Sequence, residues 1–169
     1  MDALGDPGEY SSRIEAVDFT LHHDDGSTTK HLDSAEIIVV GVSRTGKTPT
    51  CLYLSLHYGV RAANFPLTEE DLESPRLPAS LRPHRSKLFG LTSEPRRLRQ
   101  IRQERYPDSR YASLEQCEYE IRQAEALFRR LGILSLPTTL KSIEEIAATI
   151  VDMADLDRRV KSGPVPAHV

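Results

Sequence analysis

The run Glu36-Ile37-Ile38-Val39-Val40-Gly41-Val42-Ser43-Arg44-Thr45-Gly46-Lys47-Thr48 decides how the rest of this chain is read. It is a short apolar strand followed at once by G-x-x-x-x-G-K-[ST], the pattern of a phosphate-cradling P-loop. Each position has a physical reason. Gly41 and Gly46 allow backbone conformations closed to residues with a Cβ, so several N–H groups can converge on one anion. A helix starting at Lys47 aims its positive dipole end and free N–H groups at the same spot. Lys47 adds a mobile charge for the terminal phosphate, and the Thr48 hydroxyl is a ligand for Mg²⁺. The plainer alternative is a glycine-rich strand-to-helix turn with an exposed lysine.

Strands and helices alternate outward from that turn. Upstream, Tyr10–Leu21 places Ile14, Val17 and Leu21 near helical spacing, after a flexible leader at residues 1–9. His22-His23-Asp24-Asp25-Gly26 reads as a polar turn, and Ala35–Val40 as the first strand. Downstream, Lys47–Tyr58 is a helix with Leu52, Tyr53 and Leu56 inward, Pro49 in its first turn and Gly59 as its cap. Val60–Phe65 is a second strand, Thr68 to Asp71 can cap a short helix, and Leu77–Pro83 is a proline-punctuated loop.

Lys87–Leu91 reads as a third strand, followed by a helix over Glu94–Arg105 with Leu98 and Ile101 inward. Ser113-x-x-Gln116 opens a long amphipathic helix that Gly132 stops. Ile133–Leu136 is a fourth strand, and Ser142-x-x-Glu145 caps a last helix with Ile143, Ile146, Ala147, Ile150 and Met153 inward. Residues 161–169 read as a disordered tail. The expectation is one α/β domain over 10–160: a P-loop-containing parallel sheet flanked by helices, with the P-loop at the carboxyl end of a strand.

With 169 residues and 38% apolar content, the chain can bury a substantial core. Its net charge of −3 implies no general affinity for nucleic acid or membrane. The two cysteines, Cys51 and Cys117, lack metal-ligand spacing and suit a reducing compartment. The acidic start has no signal-peptide pattern, and no apolar run approaches a membrane span, so a cytoplasmic location is expected. Self-association is left open.

Phosphoryl transfer needs metal placement and a base as well as an anion cradle. The usual second carboxylate at the end of a downstream strand is missing: the third strand runs into Thr92-Ser93 and the fourth into Pro137-Thr138. Asp24 and Asp25, beside His22 and His23, are the nearest candidates. One can hold Mg²⁺ while the other accepts a hydroxyl proton. A solvated Asp-Gly turn is the plainer reading. From Arg76 to Arg110, ten Lys/Arg stand against three acids, an excess of seven that leaves −10 elsewhere. Such a block can clamp phosphates or receive an acidic partner, although a solvated helix face explains most of Arg96–Arg105. Arg44, fixed inside the turn, is better placed than any of these to meet an anion. His57, His84 and His168 read as surface or packing residues.

The run GVSRTGKTPTCLYLSLHYGVRAANFPL, with LHHDDG before it and KLFGLT, SRYAS and SIEEIA after it, closely resembles the bacterial phosphoenolpyruvate synthase (pyruvate, water dikinase) regulatory proteins. The likeness covers about Tyr10 to Arg159. It implies a bifunctional enzyme that inactivates the dikinase by phosphorylating a threonine with ADP as donor. The same enzyme reactivates it with inorganic phosphate, releasing pyrophosphate. By position, Gly41 to Thr48 would hold ADP, with Lys47, Asp24 and Asp25 as catalytic groups and Thr48 on Mg²⁺. Members of that family carry a sizeable N-terminal region, so the chain is expected to correspond to their nucleotide-binding C-terminal half. Two other readings stay open. One is a small-molecule P-loop kinase; the other is a nucleotide-sensing module that binds without turnover.

Overall fold

Four short parallel strands order the molecule, whose computed structural model describes residues 7–23 and 32–155. They are β1 (Ile37–Gly41), β2 (Ala62–Pro66), β3 (Leu88–Thr92) and β4 (Ser135–Pro137), arranged β2–β1–β3–β4. Residues alternate between the sheet's faces. Ile38, Val40 and Ala63 pack on one side with Cys117, Ile121, Ala124 and Phe128 of α5 (Leu114–Leu131). Ile37, Val39, Phe89 and Leu91 pack on the other with α2 (Lys47–Tyr58) and α6 (Ile143–Met153). Burial on both faces explains why β1 reads as continuous Ile/Val rather than as an alternating pattern. The α/β class and the parallel sheet expected from the sequence are therefore present.

Local signals set most element ends. Gly59 and Gly132 close α2 and α5 in the left-handed conformation, at φ +66° and +67°. Thr68 and Asp71 form a complete capping box on α3 (Glu69–Glu73), as do Ser142 and Glu145 on α6. Ser113 caps α5 through the Gln116 amide, whereas the Gln116 side chain turns to Glu120 and Glu69. Gly90 is needed for contact between layers, because a Cβ there would meet the Phe128 ring of α5 at 2.6 Å.

The structure departs from expectation at several points. Leu77–Pro83 is no open loop: Ala79–Lys87 forms 3₁₀ turns that bury Leu81, with Pro78 as their N-cap and Pro83 within them. β4 begins at Ser135, because the Ile133 amide is already used on Phe128 O at 2.9 Å to close α5. Leu56 and Met153, expected inward, are exposed. The first helix, α1, starts at Pro7 and ends at His22. Its exposed residues include Ile14 and Leu21, while Ala16, Thr20 and His23 are buried. Ala16 and Thr20 face inward from the helix, with the His23 ring just beyond its end, and the Thr20 hydroxyl accepts a bond from the Ala62 amide at 3.4 Å. No helix among the described residues is long and apolar enough to cross a membrane.

Candidate functional site

The chain leaves β1 for β2 on one side, then returns past β1 to build β3 and β4 on the other. The carboxyl ends of β1 and β3 lie where these connections diverge, which is where open α/β sheets place their ligands. The turn from Gly41 to Thr48 is located there. Gly41 touches β3 so closely that a Cβ would meet Leu91 O at 2.7 Å. Arg44 and Gly46 both take positive φ, +73° and +92°, curling the backbone back on itself. Gly46 is the N-cap of α2 and has no side chain to occupy the first-turn N–H groups, which face the cleft.

Side chains fix this curl from inside. Lys47 is buried, and its Nζ donates to Val42 O at 2.9 Å; the Thr45 hydroxyl donates to the same oxygen at 2.9 Å. The Thr138 hydroxyl, just beyond β4, lies 3.2 Å from Thr45 O and 3.1 Å from Thr92 O, clipping the turn to the end of β3. Thr48 Oγ1 lies 3.5 Å from Asn64 Nδ2, and the Asn64 amide donates to His23 O at 3.2 Å. The chain at His23 is thereby tied to the middle of β2. Asp24 and Asp25 lie outside the described residues.

A second layer lies behind the turn. Arg102, on α4 (Pro95–Arg105), has no exposed surface; Nη2 donates to Ser43 O at 3.0 Å and to Glu120 Oε1 at 2.8 Å. Nη1 donates to Tyr111 O at 2.9 Å, and the guanidinium stacks 4.1 Å over the Tyr111 ring. Tyr111 OH in turn meets Ser43 Oγ at 2.5 Å. Gln116 bridges Glu120 to Glu69, which pairs with Arg110. The solvated-face reading of Arg96–Arg105 therefore fails at Arg102 and suits Arg96, Arg99 and Arg105, which are exposed; Arg97 is exposed too but borders the cleft over the turn. A signal was present in the sequence. Arg102 stands four residues after inward Leu98, and Glu120 shares the stripe of Cys117 and Ala124, so two opposite charges occupy facing apolar stripes.

The cleft over the turn measures about 580 Å³. Arg44, Lys47, Arg97 and Lys141 line it with the hydroxyls of Ser93, Thr138 and Thr139, and no carboxylate of the described residues does. Pro49, Ile143 and Ile146 supply an apolar flank. Such a cleft is suited to a multiply charged anion that carries an apolar part. Neither cysteine belongs to it: both are buried, and burial pushes the Cys117 thiol up. No group of His, Cys, Asp and Glu among the described residues is arranged to hold a metal ion.

The sequence model of the kinase/pyrophosphorylase family matches residues 4–151. The chain belongs to that family. Among its relatives is a protein of Laribacter hongkongensis, 60% identical over 151 residues, covering 89% of this chain and 55% of that protein. One from Halorhodospira halophila is 57% identical over 157 residues, covering 93% and 58%. One from Pseudomonas savastanoi pv. phaseolicola is 54% identical over 159 residues, covering 94% and 58%. All three are named as phosphoenolpyruvate synthase regulatory proteins. The chain spans little more than half the length of these curated relatives.

Proposed function

We propose that this chain is the nucleotide-binding part of a phosphoenolpyruvate synthase regulator. It binds ADP through a P-loop at Gly41–Thr48 and transfers phosphoryl groups to and from a threonine of the dikinase. The observation that carries this is the curled turn at the switch point, with Lys47 folded into it under a cleft lined by cations. The family membership and the names of the relatives support the regulatory role.

In the forward direction the threonine oxygen attacks the terminal phosphorus of ADP. The bridging P–O bond breaks, AMP leaves with the electron pair, and the hydroxyl proton passes to solvent by way of a base. In the other direction an oxygen of orthophosphate attacks the phosphothreonine phosphorus. The ester bond breaks, pyrophosphate forms, and the proton carried by orthophosphate ends on the threonine hydroxyl. The amides of the turn hold phosphate oxygens in both reactions, so one cradle serves both. Lys47 exchanges Val42 O for a phosphate oxygen, and Asp24 and Asp25 are assigned to proton acceptance and metal placement. The Thr48 hydroxyl suits Mg²⁺, which commonly binds few protein groups beside phosphate oxygens and would neutralise charge there.

The test is to incubate the chain with ADP, Mg²⁺ and purified dikinase and to seek phosphothreonine by mass spectrometry. The phosphorylated dikinase is then given orthophosphate and assayed for pyrophosphate. Both products are expected. ADP binding without either product would reduce the chain to a nucleotide-sensing module. ATP-dependent phosphorylation of a small alcohol, with the dikinase ignored, would make it a metabolite kinase.

A further inference from the structure

We propose that the cleft holds two anion subsites, the second formed by Arg97 of α4 and Lys141 of the β4–α6 turn. The Gly41–Thr48 turn holds the phosphate that stays with the nucleoside, and Arg97 with Lys141 holds the phosphoryl group that moves. This rests on the phosphoryl-transfer reading above and assigns residues that the P-loop pattern does not include.

Three observations point this way. At about 580 Å³, the cleft has room beyond what one phosphate on the turn requires. Its four cations come from three separate places: Arg44 and Lys47 belong to the turn, whereas Arg97 and Lys141 come from α4 and from the segment after β4. Converging charges repel unless an anion lies between them. The nearby carboxylates are turned to other tasks. Glu145 feels the Lys141 charge but spends its carboxylate on the Ser142 amide at 2.9 Å and stays outside the cleft lining, and Glu94 lines a neighbouring cleft that meets this one at Ser93 and Thr139. Arg97 makes a long 3.3 Å bond to Gln100 on an exposed surface, one readily exchanged for a phosphate oxygen.

The chemistry asks for such a pair. In phosphoryl transfer, charge spreads over the oxygens of the moving group, and fixed cations around them stabilise it. With ADP as donor the moving group is the β-phosphoryl, one position beyond the group cradled by the amides. In the reverse reaction orthophosphate takes the turn, the phosphothreonine phosphate takes Arg97 and Lys141, and pyrophosphate spans both. One-phosphate ligands (AMP and orthophosphate) should thus read the turn alone, and two-phosphate ligands (ADP and pyrophosphate) both subsites.

Isothermal titration of these four ligands in Mg²⁺ buffer tests the assignment. Arg97→Ala and Lys141→Ala are each expected to weaken ADP and pyrophosphate about tenfold, the scale of one charge-assisted contact. AMP and orthophosphate should bind as before, and Arg99→Ala, an exposed α4 control outside the cleft, should change none of the four. Unchanged ADP binding in both cleft variants, or equal losses for AMP and ADP, would overturn the second subsite and leave the P-loop reading standing. A wild-type chain that binds none of the four ligands would end both.

Discussion

The Arg102 guanidinium donates to the carbonyl oxygen of Ser43 at 3.0 Å, from a side chain with no surface exposed to solvent. That bond ties α4 to the turn that forms the floor of the cleft, and Glu120 balances the charge at 2.8 Å. Removing one member of a buried pair strands the other, at about 3–5 kcal/mol, whereas replacing both with apolar residues is often near neutral. Arg102→Ala is therefore expected to lower the urea-unfolding free energy by that amount. Arg102→Met with Glu120→Leu should recover most of it while still losing the Ser43 bond. ADP affinity that stays impaired in the stable double variant would separate positioning of the turn from overall stability. Full affinity in that variant would show that the turn holds its shape without Arg102.

Lys47 makes its bond to Val42 O within the turn that it serves. Lys47→Ala is expected to weaken ADP binding on the order of 100-fold, in line with loss of a charged contact in a sheltered site, and to abolish transfer in both directions. Titration calorimetry and the two product assays check this. Phosphorolysis at the wild-type rate in that variant would place the two reactions at separate anion sites.

The turn was legible because its chemistry is local: two glycines, a lysine and a threonine at fixed spacing after an Ile/Val run admit few conformations. Capped helix ends were legible for the same reason, as at Thr68 and Asp71 or Ser142 and Glu145. Arg102 was legible only in part: its spacing from Leu98 marks an inward position, but its role depends on Ser43, Tyr111 and Glu120 meeting across the fold. Arg97 and Lys141 share a cleft only after the 43 residues between them have folded. The inward faces expected for α2 and α6 fail at Leu56 and Met153, since hydrophobicity alone does not say how closely neighbouring backbones approach.

Two glycines offer contrasting tests. Alanine at Gly90 pushes on the Phe128 ring at 2.6 Å, and at Gly41 on the Leu91 carbonyl at 2.7 Å. The first is overpacking within a layer interface, expected to cost about 1–3 kcal/mol, with part of that recovered by Phe128→Leu. Its effect on ADP affinity should be small once the protein is folded. The second moves the turn off β3 and should reduce ADP affinity directly. Thermal melts combined with calorimetry distinguish the two, and a Gly90→Ala protein with wild-type stability would mean the Phe128 contact is loose.

The acid limb of stability should have an identifiable source. The backbone amide of Ser142, helped by its side chain, holds Glu145 below the ordinary value of 4.5, and the Arg110 side chain does the same for Glu69. A depressed folded-state value gives stability that is present above 4.5 and lost as pH falls through the lowered value. Urea midpoints should thus decline below that point. Glu145→Gln retains a capping side chain without its titration and should flatten the decline. An unchanged acid limb in that variant would remove the α6 cap from the account.

Under the proposed function, the exposed arginines of α4 outside the cleft are expected to bear on partner choice rather than on the nucleotide. Arg96, Arg99 and Arg105 are exposed and lie outside the cleft lining, whereas Arg102 is buried and has to be left untouched if the helix is to stay seated. A cationic helix face steers an acidic partner and contributes mainly to the rate of encounter, more strongly at low salt. Changing those three arginines to Glu is expected to raise the KM for dikinase about tenfold at low ionic strength, with the difference shrinking as salt is added. ADP affinity should move by less than about twofold at physiological ionic strength, because these side chains lie outside the cleft lining and are screened by solvent and salt. Steady-state phosphorylation at several salt concentrations, alongside ADP titration, measures both quantities. Equal losses in dikinase KM and ADP affinity would assign this face to the nucleotide and leave the docking surface to another part of the molecule.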